Sequence, residues 1–162
     1  MIKIVAAVSG NGVIGKSGKL VFNDKQDKKL FKDLTFGCNV LMGRKTFDSL
    51  DKGFKPLPNR TNIVVTTDLV AGYKIQAQYP EVVIKHSLSI VKYSFFKELD
   101  LVVIGGGEIY KEAIDYAHEL HISEFSDYVE GDVYFPEIDP LKWQLSTETN
   151  YDNFKYKIYK RK

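Results

Sequence analysis

The sequence predicts an α/β fold: one domain built on a mostly parallel central sheet, flanked by helices and closed by a C-terminal antiparallel hairpin. Three observations carry that expectation. Short runs rich in β-branched residues recur along the first two thirds of the chain, and most are continuously apolar, as in strands covered on both faces. Helical stripes lie between several of them. After Leu120 the helical patterning stops, and strand-like segments follow one another.

In chain order, Ile2–Val8 is the first apolar run. A helix opens near Asp24, with Asp27, Leu30, Phe31 and Leu34 spaced as one face. Val40–Met42 is the next strand, and the stretch after Gly43 starts another helix. Ile63–Thr67 and Val82–Lys85 are further strands. Leu88, Val91, Phe95 and Leu99 form a second stripe, Leu101–Ile104 a fifth strand, and Ile109, Ala113, Ile114 and Ala117 a third stripe. Beyond Leu120 come "LHISEF", "DVYF" and "FKYKIYK". The last two flank a polar stretch containing "TNYDN" and are expected to form the antiparallel pair at the sheet edge. No repeat, low-complexity tract or linker divides residues 1–162, so a single domain is expected.

Composition excludes several classes. With 44% hydrophobic and 27% charged residues, the 162-residue chain has a globular rather than a disordered or fibrous make-up. A net charge of +2 gives no footprint for nucleic acid, and no apolar run approaches a membrane span. No signal peptide precedes the first strand, and Cys38 is the only cysteine, so a cytoplasmic location is expected. A buried structural thiol suits Cys38 better than a reactive one.

Three strand-to-helix junctions point to a ligand. "LVVIGGGEIY" runs an apolar strand into Gly105, Gly106 and Gly107. One glycine satisfies a tight turn, whereas three suit the close approach of a ligand to bare backbone. "NVLMGRKTFDSL" places Gly43, Arg44, Lys45 and Thr46 at a second junction, where two cations and a hydroxyl suit a phosphate. Thr66 and Thr67 stand at a third. Ligands of open α/β sheets gather at the carboxyl ends of strands, so the three together suggest a dinucleotide.

Asp27 is the anomaly. At 100° per residue it falls between Leu30, Phe31 and Leu34, while Lys25, Lys28, Lys29, Lys32 and Asp33 take the opposite side. A carboxylate on an apolar face is costly without partners. Asp24 and Asp27 also have the spacing of a capping box. A pure capping acid need not face the core, which favours a functional carboxylate.

Taken together, "IVAAVSGNGVIG", "DKKLFK", "VLMGRKTFDSL", "PLPNR", "NIVVTT", "VIGGGEIY" and "EGDVYFP" resemble dihydrofolate reductase in order and spacing over nearly the whole chain. The resemblance implies NADPH-dependent reduction of 7,8-dihydrofolate to tetrahydrofolate. It implies that Asp27 holds the pterin, with Ser123 bridging acid and pterin. Val5 and Ala6 would line the pterin, Phe31 and Leu57 would pack on the benzoyl group, and Arg60 would hold the glutamate α-carboxylate. Ala7, Ile14 and Ile104 would lie at the nicotinamide. Gly15, Gly43, Arg44, Lys45, Thr46, Gly105, Gly106 and Gly107 would make further cofactor contacts, with Glu108, Ile109 and Tyr110 behind them. The family holds the Gly105–Gly106 peptide in cis form.

The resemblance also marks departures. Leu20, Val21 and Phe22 stand where the family's catalytic loop carries Leu or Met followed by Pro-Trp. Val21 does not fix φ, and Phe22 has no N–H to donate. Glu108 stands where many bacterial relatives carry a base, so preference for NADPH rests on Arg44, Thr66 and Thr67, helped by Lys85 or His86. No histidine matches a catalytic position, which leaves Asp27 as the acid and water as the proton carrier to N5. No metal, nucleic acid or membrane is implied. Dihydrofolate and antifolate inhibitors are the expected ligands, and a monomer the expected state. Two rivals are a same-fold reductase of a ribosylated pyrimidine and a non-enzymatic nucleotide-sensing module. Asp27 together with Arg60 argues against the first, whose substrate offers no glutamate tail, and a carboxylate buried beside the cofactor argues against the second.

Overall fold

A computed structural model describes residues 1–17 and 19–162. Its elements in chain order are β1 (Ile2–Val8), β2 (Val13–Lys16), β3 (Lys19–Leu20), α1 (Lys25–Thr35), β4 (Asn39–Gly43), α2 (Arg44–Ser49), β5 (Thr61–Val65), α3 (Leu69–Gln78), β6 (Val83–Lys85), α4 (Ser89–Phe96), β7 (Leu101–Val103), α5 (Gly107–Ala113), β8 (Glu119–Phe125), β9 (Val133–Tyr134), β10 (Trp143–Asn150) and β11 (Phe154–Arg161). Among the described residues, eight strands form the main sheet in the order β10-β11-β8-β1-β7-β4-β5-β6. From β8 to β6 the neighbours are parallel, and β11 runs antiparallel to both β8 and β10. The mostly parallel sheet and its closing hairpin therefore match the expectation from sequence.

The continuous apolar runs have a direct cause. Successive side chains on a strand point to opposite faces, and here both faces are covered. Ile2, Ile4, Ala6 and Val8 of β1 join one core, while Val5 joins the other. β7 divides likewise, with Leu101 and Val103 on one side and Val102 on the other; in β4, Leu41 opposes Val40 and Met42. Ile4, Leu41, Val64 and Val103 are wholly buried. At roughly 1.5–3 kcal/mol for each such side chain, burial holds these strands.

The C-terminal strand β10 is held differently. Only Trp143 in it is buried, so its register with β11 and the Arg161 guanidinium, 4.5 Å above the Trp143 ring, do the holding. Arg161 also donates to the carbonyls of Ala117 and Ile114, at 2.7 and 2.6 Å.

The structure corrects the pairing expected beyond residue 125. "DVYF" does not pair with the last strand. Its β9 pairs with β2 in a second, three-stranded sheet of order β3-β2-β9. The partner of β11 is β10, a polar segment whose exposed faces give no apolar alternation. Helix α3, between β5 and β6, was also not anticipated. It leaves Leu69, Val70 and Tyr73 exposed, so it shows no clean stripe. None of the described helices is long and apolar enough to cross a membrane.

Candidate active site

The carboxyl ends of β1, β4, β5 and β7 and the strand β8 surround one region of the molecule, with α1 lying across it. Helix α1 begins where Asp24 accepts the Asp27 N–H at 3.0 Å, so Asp24 is a true N-cap. The cap uses the backbone of Asp27 and leaves its carboxylate free. That side chain is half-buried against the sheet, on the same helix as Phe31 and Leu34, which pack on the core shared with Val5 and Leu57. Burial pushes the Asp27 carboxyl above the usual carboxylate range. The Ser123 hydroxyl on β8 draws it partly back, and nearby Asp24 adds to the rise.

The register explains why Ser123 is there. Ala7 of β1 and Tyr156 of β11 pair with Ser123, so these residues share one face of the sheet with Val5, the partner of His121. Tyr110 supports this face from below, its hydroxyl donating to the Val5 carbonyl at 2.8 Å in a fully buried position. Burial raises the Tyr110 phenol well above its ordinary pKa, so it serves as a neutral hydrogen-bond donor.

At the other end of α1 stands Arg60. Its Nε donates to the Thr35 hydroxyl at 2.9 Å and one terminal nitrogen donates to the Pro58 carbonyl at 2.9 Å. Thr35 is itself wholly buried and donates to the Phe31 carbonyl. Asn62 fixes the loop, accepting from the Leu57 N–H and donating to the carbonyls of Leu57 and Arg60. Among the described residues no carboxylate forms a salt bridge with Arg60. Desolvation lowers its pKa, yet a guanidinium stays charged. The result is an oriented, unpaired cation eight residues along α1 from Asp27 (Asp27 to Thr35), about 12 Å at 1.5 Å per residue.

The three glycines of the turn are required for three different reasons. The Gly105–Gly106 peptide is cis, and Gly105 has φ 116°, with a Cβ there meeting the Tyr110 ring at 3.1 Å. A Cβ on Gly107 would lie 2.6 Å from Val133. Gly106 differs, since a Cβ there would meet only the Thr46 hydroxyl, at 3.4 Å, leaving that backbone open to a ligand. Gly106 caps α5 and Gly43 caps α2, neither with a side-chain acceptor, and the Gly43 N–H donates to the Gly105 carbonyl at 2.8 Å. Two helix starts with unpartnered donors thus adjoin the Thr46 hydroxyl, with Arg44 next to Gly43. This donor set fits a phosphate-bearing ligand.

The solved dihydrofolate reductase of Enterococcus faecalis, complexed with NADP(H) and RAB-propyl, superposes with a TM-score of 0.82 at 31% identity, covering 99% of this chain and 96% of that one. The type 6 dihydrofolate reductase of Proteus mirabilis is 37% identical, over 98% of this chain and 97% of its own. The Bacillus subtilis enzyme is 32% identical, over 100% and 95%. The dihydrofolate reductase family model matches residues 1–161. The chain belongs to the dihydrofolate reductase family. Nothing in these comparisons favours the pyrimidine reductase or the nucleotide-sensing module.

Several residues expected at the site of a dihydrofolate reductase do other work here. Leu20 is 75% exposed on the edge strand β3. Ile14 and Ile109 pack into the core on the far side of the sheet. The Gly15 backbone is engaged in the small sheet and accepts from the Asp132 N–H. The Thr66 hydroxyl accepts from the Asp68 N–H, and the Thr66 carbonyl meets His86 Nδ1 at 2.8 Å. Arg44 lies 3.3 Å from Asp48, while Glu108 is exposed in the first turn of α5. Thr35 and Asn62 were not anticipated. Their contacts span a helix end and a loop, and no local pattern announces them.

Proposed function

We propose that in this NADPH-dependent dihydrofolate reductase Asp27 and Arg60 measure the substrate along α1. The Asp27 carboxylate binds the amino group and ring N–H of the pterin, with Ser123 holding it in place. Arg60 receives the glutamate α-carboxylate on its free guanidinium edge, oriented by Thr35 and the Pro58 carbonyl. Phe31 and Leu57 cover the benzoyl group between them, and Val5 lines the pterin with the Ala6 backbone beside it, since the Ala6 side chain joins the opposite core. The observation that carries this reading is an unpaired, oriented cation and a half-buried acid on one helix face.

The bound NADPH supplies the hydride for C6 of the pterin. Gly43, Gly106 and Thr46 would hold its phosphates and ribose, with Arg44, Lys45 and Thr67 as outer contacts and Ala7 and Ile104 at the nicotinamide. N5 receives its proton from water. Asp27 fixes the pterin's orientation and polarises the ring for that step. The reading extends to a monomer in the cytoplasm, with antifolates as competing ligands at the Asp27 end.

Arg60→Leu tests it. Loss of a charge-assisted pair weakens dihydrofolate binding by about 2–3 kcal/mol, while a pterin without the glutamate tail binds as before. Both affinities are read from quenching of protein fluorescence. An equal loss for the tail-less pterin would make Arg60 a structural residue and remove the reading.

A further inference from the structure

Phe22 follows Val21, which does not lock the backbone, and it has no side-chain donor to tie itself down. Something else must hold this segment. Its ring stacks on Phe125 with centroids 3.9 Å apart and planes 8° from parallel. Phe125 packs on Phe154 at 5.1 Å, and Phe154 stacks on Tyr151 at 4.6 Å and 7°. Phe125 lies two residues beyond Ser123 on the same face of β8, and Phe154 is its register partner on β11. The ladder therefore runs from the C-terminal hairpin, past Ser123, to the segment before α1.

A second tie runs beside it. Asn153, in the β10–β11 turn, donates to Asp24 at 2.9 Å, and the Asp152 N–H donates to the Gln26 side-chain oxygen at 3.2 Å. Asp24 uses its other oxygen to cap α1 through the Asp27 N–H. Hydrogen bonding to Asn153 and to that N–H keeps the Asp24 carboxyl ionised below the usual range. One turn thus grips both the cap of the helix that carries the acid and the aromatic residue in front of it.

We infer that the β10–β11 turn, through Phe154, Phe125 and Asn153, is a positioning element that fixes Phe22 and the first turn of α1 for the reaction. The inference rests on the reading of Asp27 as the pterin-binding acid. Asn153 and the three rings behind Phe22 need touch neither substrate nor cofactor. Each stacked pair shifts an equilibrium by roughly two- to tenfold, enough to keep the segment in one place without a proline.

The test compares Phe22→Leu, Phe125→Leu, their double variant, Phe125→Tyr and Asn153→Ala, measuring turnover, KM for dihydrofolate and Kd for NADPH. Phe125→Leu and Asn153→Ala should each lower turnover by about three- to tenfold, with NADPH affinity unchanged, and Phe125→Tyr should keep turnover. The double variant should lose no more than the worse single one, because the two rings act as one unit. Wild-type turnover in Asn153→Ala, or additive losses in the double variant, would overturn the inference. Should Phe125→Leu also lose NADPH, its fold is damaged and Asn153→Ala alone decides. Asp27→Asn, run alongside, separates the premises. Full turnover in that variant removes the role of Asp27, whereas a large loss there with additive ring effects removes only the positioning role of the turn.

Discussion

Four of the five described α-helices begin in one of two contrasting ways. The first turns of α1 and α3 are closed by side chains, with Asp24 accepting the Asp27 N–H and Asp68 accepting the Ala71 N–H, both at 3.0 Å. Those of α2 and α5 begin at Gly43 and Gly106, with no side-chain acceptor at all. An N-cap to Ala change costs typically about 1 kcal/mol, whereas a glycine there costs only a few tenths. Where the chain supplies its own acceptor, the helix start is a fixed part of the frame. Where it places a glycine, the donors stay free for an anion from outside. Asp27 sits at the first kind of start, and its carboxylate is spared because its backbone N–H is what the cap uses.

The strongest way to break this distinction is Asp27→Asn. The backbone bond to Asp24 survives, so the helix is kept, but turnover should fall by about 10²–10⁴. Activity should return partly as pH falls and solvent supplies the proton. Stability should move the other way. The folded-state pKa of Asp27 lies above its unfolded value, so its stability contribution is complete at acidic pH and is lost as pH rises through the folded value. Asp27→Asn should therefore melt higher than wild type near pH 7, with the gain vanishing on acidification. Melting curves across pH check the sign.

At the open starts, Arg44→Ala should weaken NADPH by about 1.5–3 kcal/mol and NADH by much less, as titrations followed by fluorescence would read. Equal losses would move Arg44 from the 2′-phosphate to the pyrophosphate. The smallest effect is expected at the closed start. Asp24→Ala should cost about 1 kcal/mol of stability in a denaturant titration, with a loss of turnover far below that of Asp27→Asn.

Sequence alone reveals these regions unevenly. The runs of β1, β4 and β7 are readable because burial on both faces forces continuous apolar residues. Asp27 is readable because a carboxylate on an apolar stripe contradicts its surroundings. Strand β10 is not, since seven of its eight residues are exposed and only its neighbour keeps it extended. The grip of Thr35 on Arg60 crosses 25 residues, and that of Asn153 on Asp24 crosses 129. Pairings of that range leave no periodic trace. The same limit assigned β9 to the wrong partner, because a two-residue strand has too little pattern to name its sheet.

The order of strands has a consequence for how the protein comes into being. β1 is made first, yet its two neighbours are β7 and β8, and β8 is covered in turn by β11 near residue 160. During synthesis β1 must wait, its edges unpaired, until β7 and then β8 have emerged, and β8 must wait in turn for β11 at the end of the chain. Such long-range pairing is slow and leaves apolar edges exposed meanwhile. Shortening the chain before Phe154 should therefore yield not a weaker enzyme but an insoluble one, since the last strand to arrive is the one that shields β8.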